Sequence, residues 1–415
     1  MRRSLVFSGG VLAGCQSKDI PVVDLRDGGR PRVDAGFMDA GVTDAGLAGA
    51  GIADAGVATC DETFTTSALR GILDFDDANG VNFHELRNQG WDGRLYTDLS
   101  VVDASQTTIG NDEFYVRTFY PDLLMPSGPW QIEVSGLADA TTLDLADLSP
   151  LAVDQGPVFL ECSGNGSGAA FGLMSSAEWR GIPIAEVLGR ITIDPAATRV
   201  EIGGFDDHSV PSVGGHSTPG ASWIFTFDQL LDAGAFLATE MNGEPLPPNH
   251  GEPVRLMIPG WYGCCAIKWV NAIRFVDDSE PATSQMLEFA SRTHQPRGAQ
   301  LARDFRPAQM HQAAMPTRVE RHLVDGETVY RIIGIMWGGT RPTDRLAIRF
   351  DDGPSEPVDV CPAQTTNRTW TIWEHAWRPT AAKRYRVRMA IDDPSIPTNR
   401  LDSGYYEREI VITDV

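Results

Sequence analysis

The stretch E-M-N-G-E-P-L-P-P-N-H-G-E-P-V-R-L-M-I-P-G-W-Y-G-C-C-A-I-K-W, residues 240–269, decides how this chain is read. It sets His250, Arg255 and Lys268 among turn-forming Gly and Pro residues. Residues 254–258 are apolar apart from Arg255 and end at Pro259-Gly260, the pattern of a buried strand running into a turn. Three cation-capable side chains beside apolar backbone suit a buried, phosphate-bearing anion. Arg meets a phosphate with a bidentate fork, and Lys meets it with a point charge. The plain alternative, a turn carrying surface cations, requires all three to flank buried backbone by accident.

Three further motifs lie upstream. F-L-E-C-S-G-N-G-S-G-A-A-F-G, residues 159–172, closes a short strand (158–161) with Cys162 and continues as a Gly-rich loop. A thiolate is a soft ligand for a transition metal, and the glycines let backbone N–H groups approach an anion. A buried structural Cys at a tight turn is the commoner fate of such a residue. Y-V-R-T-F, residues 115–119, carries Arg117, whose default reading is a surface strand. Gly204-Phe205-Asp206 reads alone as a turn.

The chain has 415 residues and a net charge of −22. The length implies two folded domains, and the acidity excludes nucleic-acid binding, which needs clustered Lys and Arg. No run of about 18 apolar residues is present to span a membrane. Met1-Arg2-Arg3 and the weakly apolar residues 4–14 lead to Leu12-Ala13-Gly14-Cys15, which reads as a lipoprotein signal (1–15) lipidated at Cys15. An ordinary secretory cleavage site is the alternative. Residues 16–60 repeat D-A-G at 34–36, 39–41, 44–46 and 54–56 and read as a disordered tether. The expected location is therefore extracytoplasmic, with a lipid anchor to a bacterial membrane.

Residues 61–315 read as the first folded domain, with helix-like and turn-like pieces in 61–110 such as 83–99, mixed α/β pattern from 114 and a helix over 183–191. Residues 316–415 read as a β-sandwich, with strands over 329–337, 345–350, 369–377, 384–391 and 406–412. In 384–391, Tyr385, Val387, Met389 and Ile391 alternate with arginines. Cys264 and Cys265 read as small buried side chains. Cys60 and Cys361 are candidates for a disulfide whose pairing spacing cannot assign. No C-x-x-C-H haem site occurs, so a redox role requires an external electron carrier such as a c-type cytochrome.

Together the motifs resemble the sulfite oxidase family of molybdopterin enzymes, closely over 114–276 and more loosely through 336–353. The resemblance implies an α+β fold, a mixed α/β molybdopterin-binding domain followed by an immunoglobulin-like sandwich that mediates a homodimer. It implies a molybdenum–molybdopterin cofactor with Cys162 as the metal ligand. Arg117, Thr118, Asp206, His250, Arg255, Ala266 and Lys268 are the implied cofactor contacts, with Arg117 also facing substrate. Two Arg residues that follow the Cys loop in animal sulfite oxidases are here Gly166 and Ser167, and the R-N-H motif is Arg117-Thr118-Phe119. The family's active-site Tyr falls near Phe289, with Arg292 and His294 as polar substitutes. The expected activity is oxygen-atom transfer to sulfite or a similar small oxyanion. Reduction of a neutral sulfoxide and a non-catalytic surface protein are the two rivals.

Overall fold

The apolar run at 158–161 is the buried end of a longer strand, Val153–Glu161. Its first half, with Gly156 and Pro157, lacks strand formers and is recruited by antiparallel pairing with Met174–Pro183. The computed structural model describes residues 64–415 except 126, 214, 216 and 361–364. The proposed signal with Cys15, the tether 16–60, and the pair Cys60 and Cys361 lie outside the described residues.

Met174–Pro183 pairs in turn with Phe236–Met241, which also carries the short strands Glu244–Pro245 and Arg255–Met257. A second five-stranded sheet runs Thr141–Asp144, Gln131–Gly136, Val270–Val276, Arg199–Gly204, Ser222–Thr226. Val270–Val276 and Gln131–Gly136 are parallel, and the other pairs are antiparallel. The opening stretch links these two sheets: it leaves the end of Phe236–Met241 in the first and runs into Val270–Val276 in the second.

Helices are short among the described residues, the longest being Phe227–Asp232 and Ser284–Phe289 at 6 residues each. The helix expected over 183–191 is Ile184–Leu188, with Pro183 at its N-cap rather than in its first turn. Of the helix-like and turn-like pieces expected in 83–99, the turns form and an α-helix does not. The segment forms bends, a 3-10 turn at Gly90–Asp92 and the strand Arg94–Leu95, which pairs with Val116–Arg117. Gly90 takes φ +50°, and the Phe119 ring occupies the space a side chain at Gly93 would need. Both fit a tight turn and neither fits an extended helix.

The C-terminal strands form two antiparallel sheets. One runs Ala68–Leu73, Ala313–Val324, Glu327–Trp337, Thr371–Trp377, Asp359–Val360, and the other Ser355–Pro357, Leu346–Phe350, Arg384–Ile391, Arg408–Val411. They meet face to face through Trp377, which stacks on Phe350 at 4.2 Å and lies edge-on to Tyr385 at 4.8 Å. Tyr385, Val387 and Met389 are buried as their alternation requires, while Ile391 is half-buried. Two elements differ from the sequence reading. The strand Ala313–Val324, which runs across the domain boundary expected near Pro316, is not among the expected strands, and Ala68–Leu73 crosses from the N-terminal region to edge this sheet. All described residues belong to one compact unit with a continuous apolar core.

Candidate active site

Cys162 follows directly on Val153–Glu161, where the sheet ends and the Gly-rich loop begins. The buried Asn165 shapes that loop, its Oδ1 accepting from the N–H groups of Gly166 (3.1 Å) and Leu173 (3.0 Å). The thiol is 7% exposed. Burial raises its pKa, against the nearby charges of Arg117 and Arg94 and the Gly164 N–H. Metal ligation at this sulfur therefore displaces a proton.

All eight residues singled out from the sequence line one cleft enclosing about 870 Å³: Arg117, Thr118, Cys162, Asp206, His250, Arg255, Ala266 and Lys268. They arrive on four separate segments. Lys268 is half-buried, and its Nζ donates to three backbone carbonyls: Arg117 (3.1 Å), Thr118 (2.5 Å) and Asn249 (2.8 Å). Burial, then the Arg255 and Arg117 charges, push its pKa well down. Arg255 donates to the carbonyls of His250 (3.0 Å) and Ala266 (3.3 Å), and its Nε is buried without a partner. Gly251 is required between them. It adopts φ +113°, and a Cβ there would lie 2.9 Å from the Arg255 Cβ.

His250 corrects the sequence reading of a third cation. Burial, with Lys268 and Arg255 nearby, drives its pKa down to about 3. The ring is neutral at physiological pH, and its Nε2 donates to the Asn111 carbonyl at 3.0 Å. Arg117 is no surface residue: its guanidinium reaches the Trp91 carbonyl and the Ser217 hydroxyl (2.6 Å). Asp206 accepts from the Gly220 N–H at 2.8 Å, and burial raises its pKa. Cys264 and Cys265 are buried free thiols, Cys264 lining the cleft.

A second cleft, with a volume of about 530 Å³, shares Cys162, Arg117 and Phe289 with the first. Arg94, Arg292, His294, Arg400 and Tyr405 complete its polar lining. Arg292 and His294, weighed as polar substitutes, are thus both beside Cys162. Arg94, Arg400 and Tyr405 were missed, as was Glu288 in the first cleft. None sits in a motif, and the C-terminal residues arrive on a segment that reads as sandwich. Arg400 donates to the carbonyls of Ser163 (2.7 Å) and Arg292 (2.9 Å), and Tyr405 donates to that of Asn165. Behind the loop, Glu161 is 1% exposed and accepts from Trp337 Nε1 (3.0 Å) and the Tyr406 hydroxyl (2.9 Å), with Arg400 at 3.6 Å. Burial raises its pKa, and the Arg400 charge and the two donors oppose that rise.

Among the described residues, no ion pair joins Lys268 or Arg255 to a carboxylate. The Arg255 Nε and the Glu288 Oε1 are buried and unpartnered in the walls of the first cleft. Orphaned cations and an orphaned acceptor fit a ligand with a phosphate at one end and N–H groups at the other, as molybdopterin has. Among the described residues, no cluster of three or more His, Cys, Asp or Glu could hold a metal ion.

A family model for the oxidoreductase molybdopterin binding domain matches residues 121–284. Mitochondrial sulfite oxidase of Macaca fascicularis is 26% identical over 68% of this chain and 56% of its own length. The catalytic subunit MsrP of a protein-methionine-sulfoxide reductase from Ralstonia nicotianae is 30% identical over 40% of this chain and 48% of its own. The chain thus spans about half the length of these curated relatives. In fold it is similar to the sulfane dehydrogenase SoxCD from Paracoccus pantotrophus, with a TM-score of 0.58 at 16% identity, covering 79% of this chain and 88% of that one. Cleft and matches together define a molybdopterin-binding oxidoreductase. Residues 121–284 match the molybdopterin-binding oxidoreductase domain, whose cofactor is molybdenum–molybdopterin, and over 68% of its length the chain is similar to sulfite oxidase.

Two consequences follow from the cleft's electrostatics. Lys268→Gln keeps donors for the carbonyls and removes the charge. Molybdenum per protein, measured by mass spectrometry, is expected to fall to a tenth or less with the circular dichroism spectrum unchanged. For His250, the unfolded chain binds more protons than the native state between its ordinary 6.5 and about 3. Stability is then lost as pH falls through that window, by up to roughly 5 kcal/mol. His250→Gln retains a donor and cannot titrate, so its urea midpoint is expected to drop less over that range than the native protein's. Parallel curves would show that the proton is taken up elsewhere.

Proposed function

We propose that the protein oxidises an anionic sulfur oxyacid and passes the electrons to an external carrier such as a c-type cytochrome. One observation carries this reading: four guanidiniums, Arg94, Arg117, Arg292 and Arg400, line the second cleft beside Cys162. Gly166 and Ser167 replace the two arginines that follow the Cys loop in animal sulfite oxidases, and these four bring positive charge to the cleft from other segments. A charge-assisted hydrogen bond contributes about 1.5–3 kcal/mol, so two or three of them orient a small oxyanion firmly.

When bound, the cofactor supplies oxygen-atom transfer and a two-electron store. The chain's own contribution is binding and placement. Lys268, Arg255 and the neutral His250 hold the phosphate end, Asp206 and Glu288 offer acceptors to N–H groups, and Cys162 gives its thiolate to the metal. Arg117 lines both clefts, so it touches cofactor on one side and substrate on the other.

The paired C-terminal sheets support the further reading of an immunoglobulin-like sandwich that forms a homodimer. The lipobox-like Leu12-Ala13-Gly14-Cys15 supports an extracytoplasmic, lipid-anchored location. Sedimentation as a monomer at micromolar concentration would remove the dimer. Failure of Cys15→Ala to release the protein from membranes of a bacterial host would remove the anchor.

The decisive assay uses the cofactor-loaded protein. Sulfite with ferricyanide as acceptor is expected to turn over, and methionine sulfoxide with reduced viologen is not. The reverse result would make the protein a sulfoxide reductase like its Ralstonia relative. Cys162→Ser is expected to abolish turnover while leaving the melting temperature within about 2 °C, a surface-like change. Retained turnover in that variant would overturn the assignment of the metal ligand.

A further inference from the structure

The second cleft is far larger than a four-atom anion needs. Its volume of about 530 Å³ falls within the span of about 300–1,000 Å³ that holds drug-sized ligands. Its mouth is open, because Gly164, Ser291 and Arg292 are exposed and Tyr405 is 41% exposed. Gly164 keeps the approach clear: a Cβ there would stand 3.9 Å from the Cys162 Sγ and 3.6 Å from an Arg292 nitrogen.

The walls differ in character. One is apolar, built from Leu173, Phe289 and the Tyr405 ring; the other is cationic. They meet where the Arg292 guanidinium lies 5.3 Å from the Phe289 ring centroid. Two of the four guanidiniums already face carboxylates, Arg400 toward Glu161 at 3.6 Å and Arg94 toward Asp92 at 4.0 Å. Arg117 and Arg292 have no such ion pair among the described residues. The cleft therefore matches a molecule with one compact anionic head and an apolar body.

We propose that the preferred substrate is an organic sulfinate, R–SO2⁻, whose head sits beside Cys162 between Arg117 and Arg292 and whose body lies along Phe289 and Tyr405. The inference rests on the oxyacid-oxidising reading above and narrows it. The reaction is R–SO2⁻ + H2O → R–SO3⁻ + 2 H⁺ + 2 e⁻. One sulfur–oxygen bond forms with an oxygen from water, both water protons are released, and sulfur loses two electrons. Those electrons pass to two equivalents of the one-electron carrier already invoked.

The test has a kinetic arm and a binding arm. With ferricyanide as acceptor, kcat/KM for benzenesulfinate is expected to exceed that for sulfite at least tenfold, with one ¹⁸O per sulfonate from labelled water. By calorimetry, benzenesulfonate is expected to bind at least tenfold more tightly than sulfate. Ser291→Trp, which narrows the mouth, is expected to lower the benzenesulfinate-to-sulfite ratio of kcat/KM at least tenfold. Turnover of sulfite without any of sulfinates would overturn this inference and leave the oxyacid reading standing. No turnover of either would overturn both. An unchanged ratio in Ser291→Trp, or equal binding of benzenesulfonate and sulfate, would show that the body does not lie in this cleft.

Discussion

A buried carboxylate holds the two ends of this molecule in register at the metal ligand. Glu161 is the last residue of its strand, and Cys162 is the next residue in the chain. Its oxygens take hydrogen bonds from Trp337 and Tyr406, and Arg400 stands 3.6 Å away. All three partners come from the C-terminal region. A carboxyl group this deep is tolerable only while those partners stay in place, since a buried polar group left unpaired costs several kcal/mol. The loop that bears the thiolate is thereby fixed by residues more than 170 positions downstream. Arg400 extends the same restraint to the Ser163 carbonyl.

The two clefts beside Cys162 carry the same sign of charge for different purposes. In the first, Lys268 and Arg255 spend their hydrogen bonds on backbone carbonyls, and their charges remain uncompensated. That arrangement strains the empty protein and rewards an anionic cofactor, because ligand binding restores the favourable charged state of a lysine whose pKa burial has depressed. In the second, half of the guanidiniums are already balanced, so the charge offered to a ligand is smaller. Arg117 belongs to both and has carbonyl, hydroxyl and electrostatic partners on several sides.

The first cleft was legible in the sequence because its residues sit in local motifs. His250, Arg255 and Lys268 fall within one stretch, and Cys162 closes a recognisable strand. Periodicity also located five of the C-terminal strands, since antiparallel strands with one buried face alternate openly. The charge state of His250 was not legible, because it depends on burial and on two cations brought near by folding. Arg94, Arg292 and Arg400 were hard to read as one site for a similar reason. Each looks like an ordinary surface arginine until three distant segments converge. The segment 83–99 shows the opposite case, where helix-like spacing was overridden by Gly90 and by the Phe119 ring packed on Gly93.

The edge strand Ala68–Leu73 has a mechanical meaning. It is the first strand after the undescribed N-terminal residues, and it pairs only with Ala313–Val324, through a register broken between Leu69 and Gly71. Leu69 and Ile72 face solvent, so the ribbon is held by its backbone ladder, the Ser67–His322 hydrogen bond, the Arg321 bond to the Arg70 carbonyl and the packing of Leu73 on the core. Tension arriving along the upstream chain would load this ribbon first. It can peel away as a sacrificial hinge, while the cleft walls, made from other strands, keep their shape.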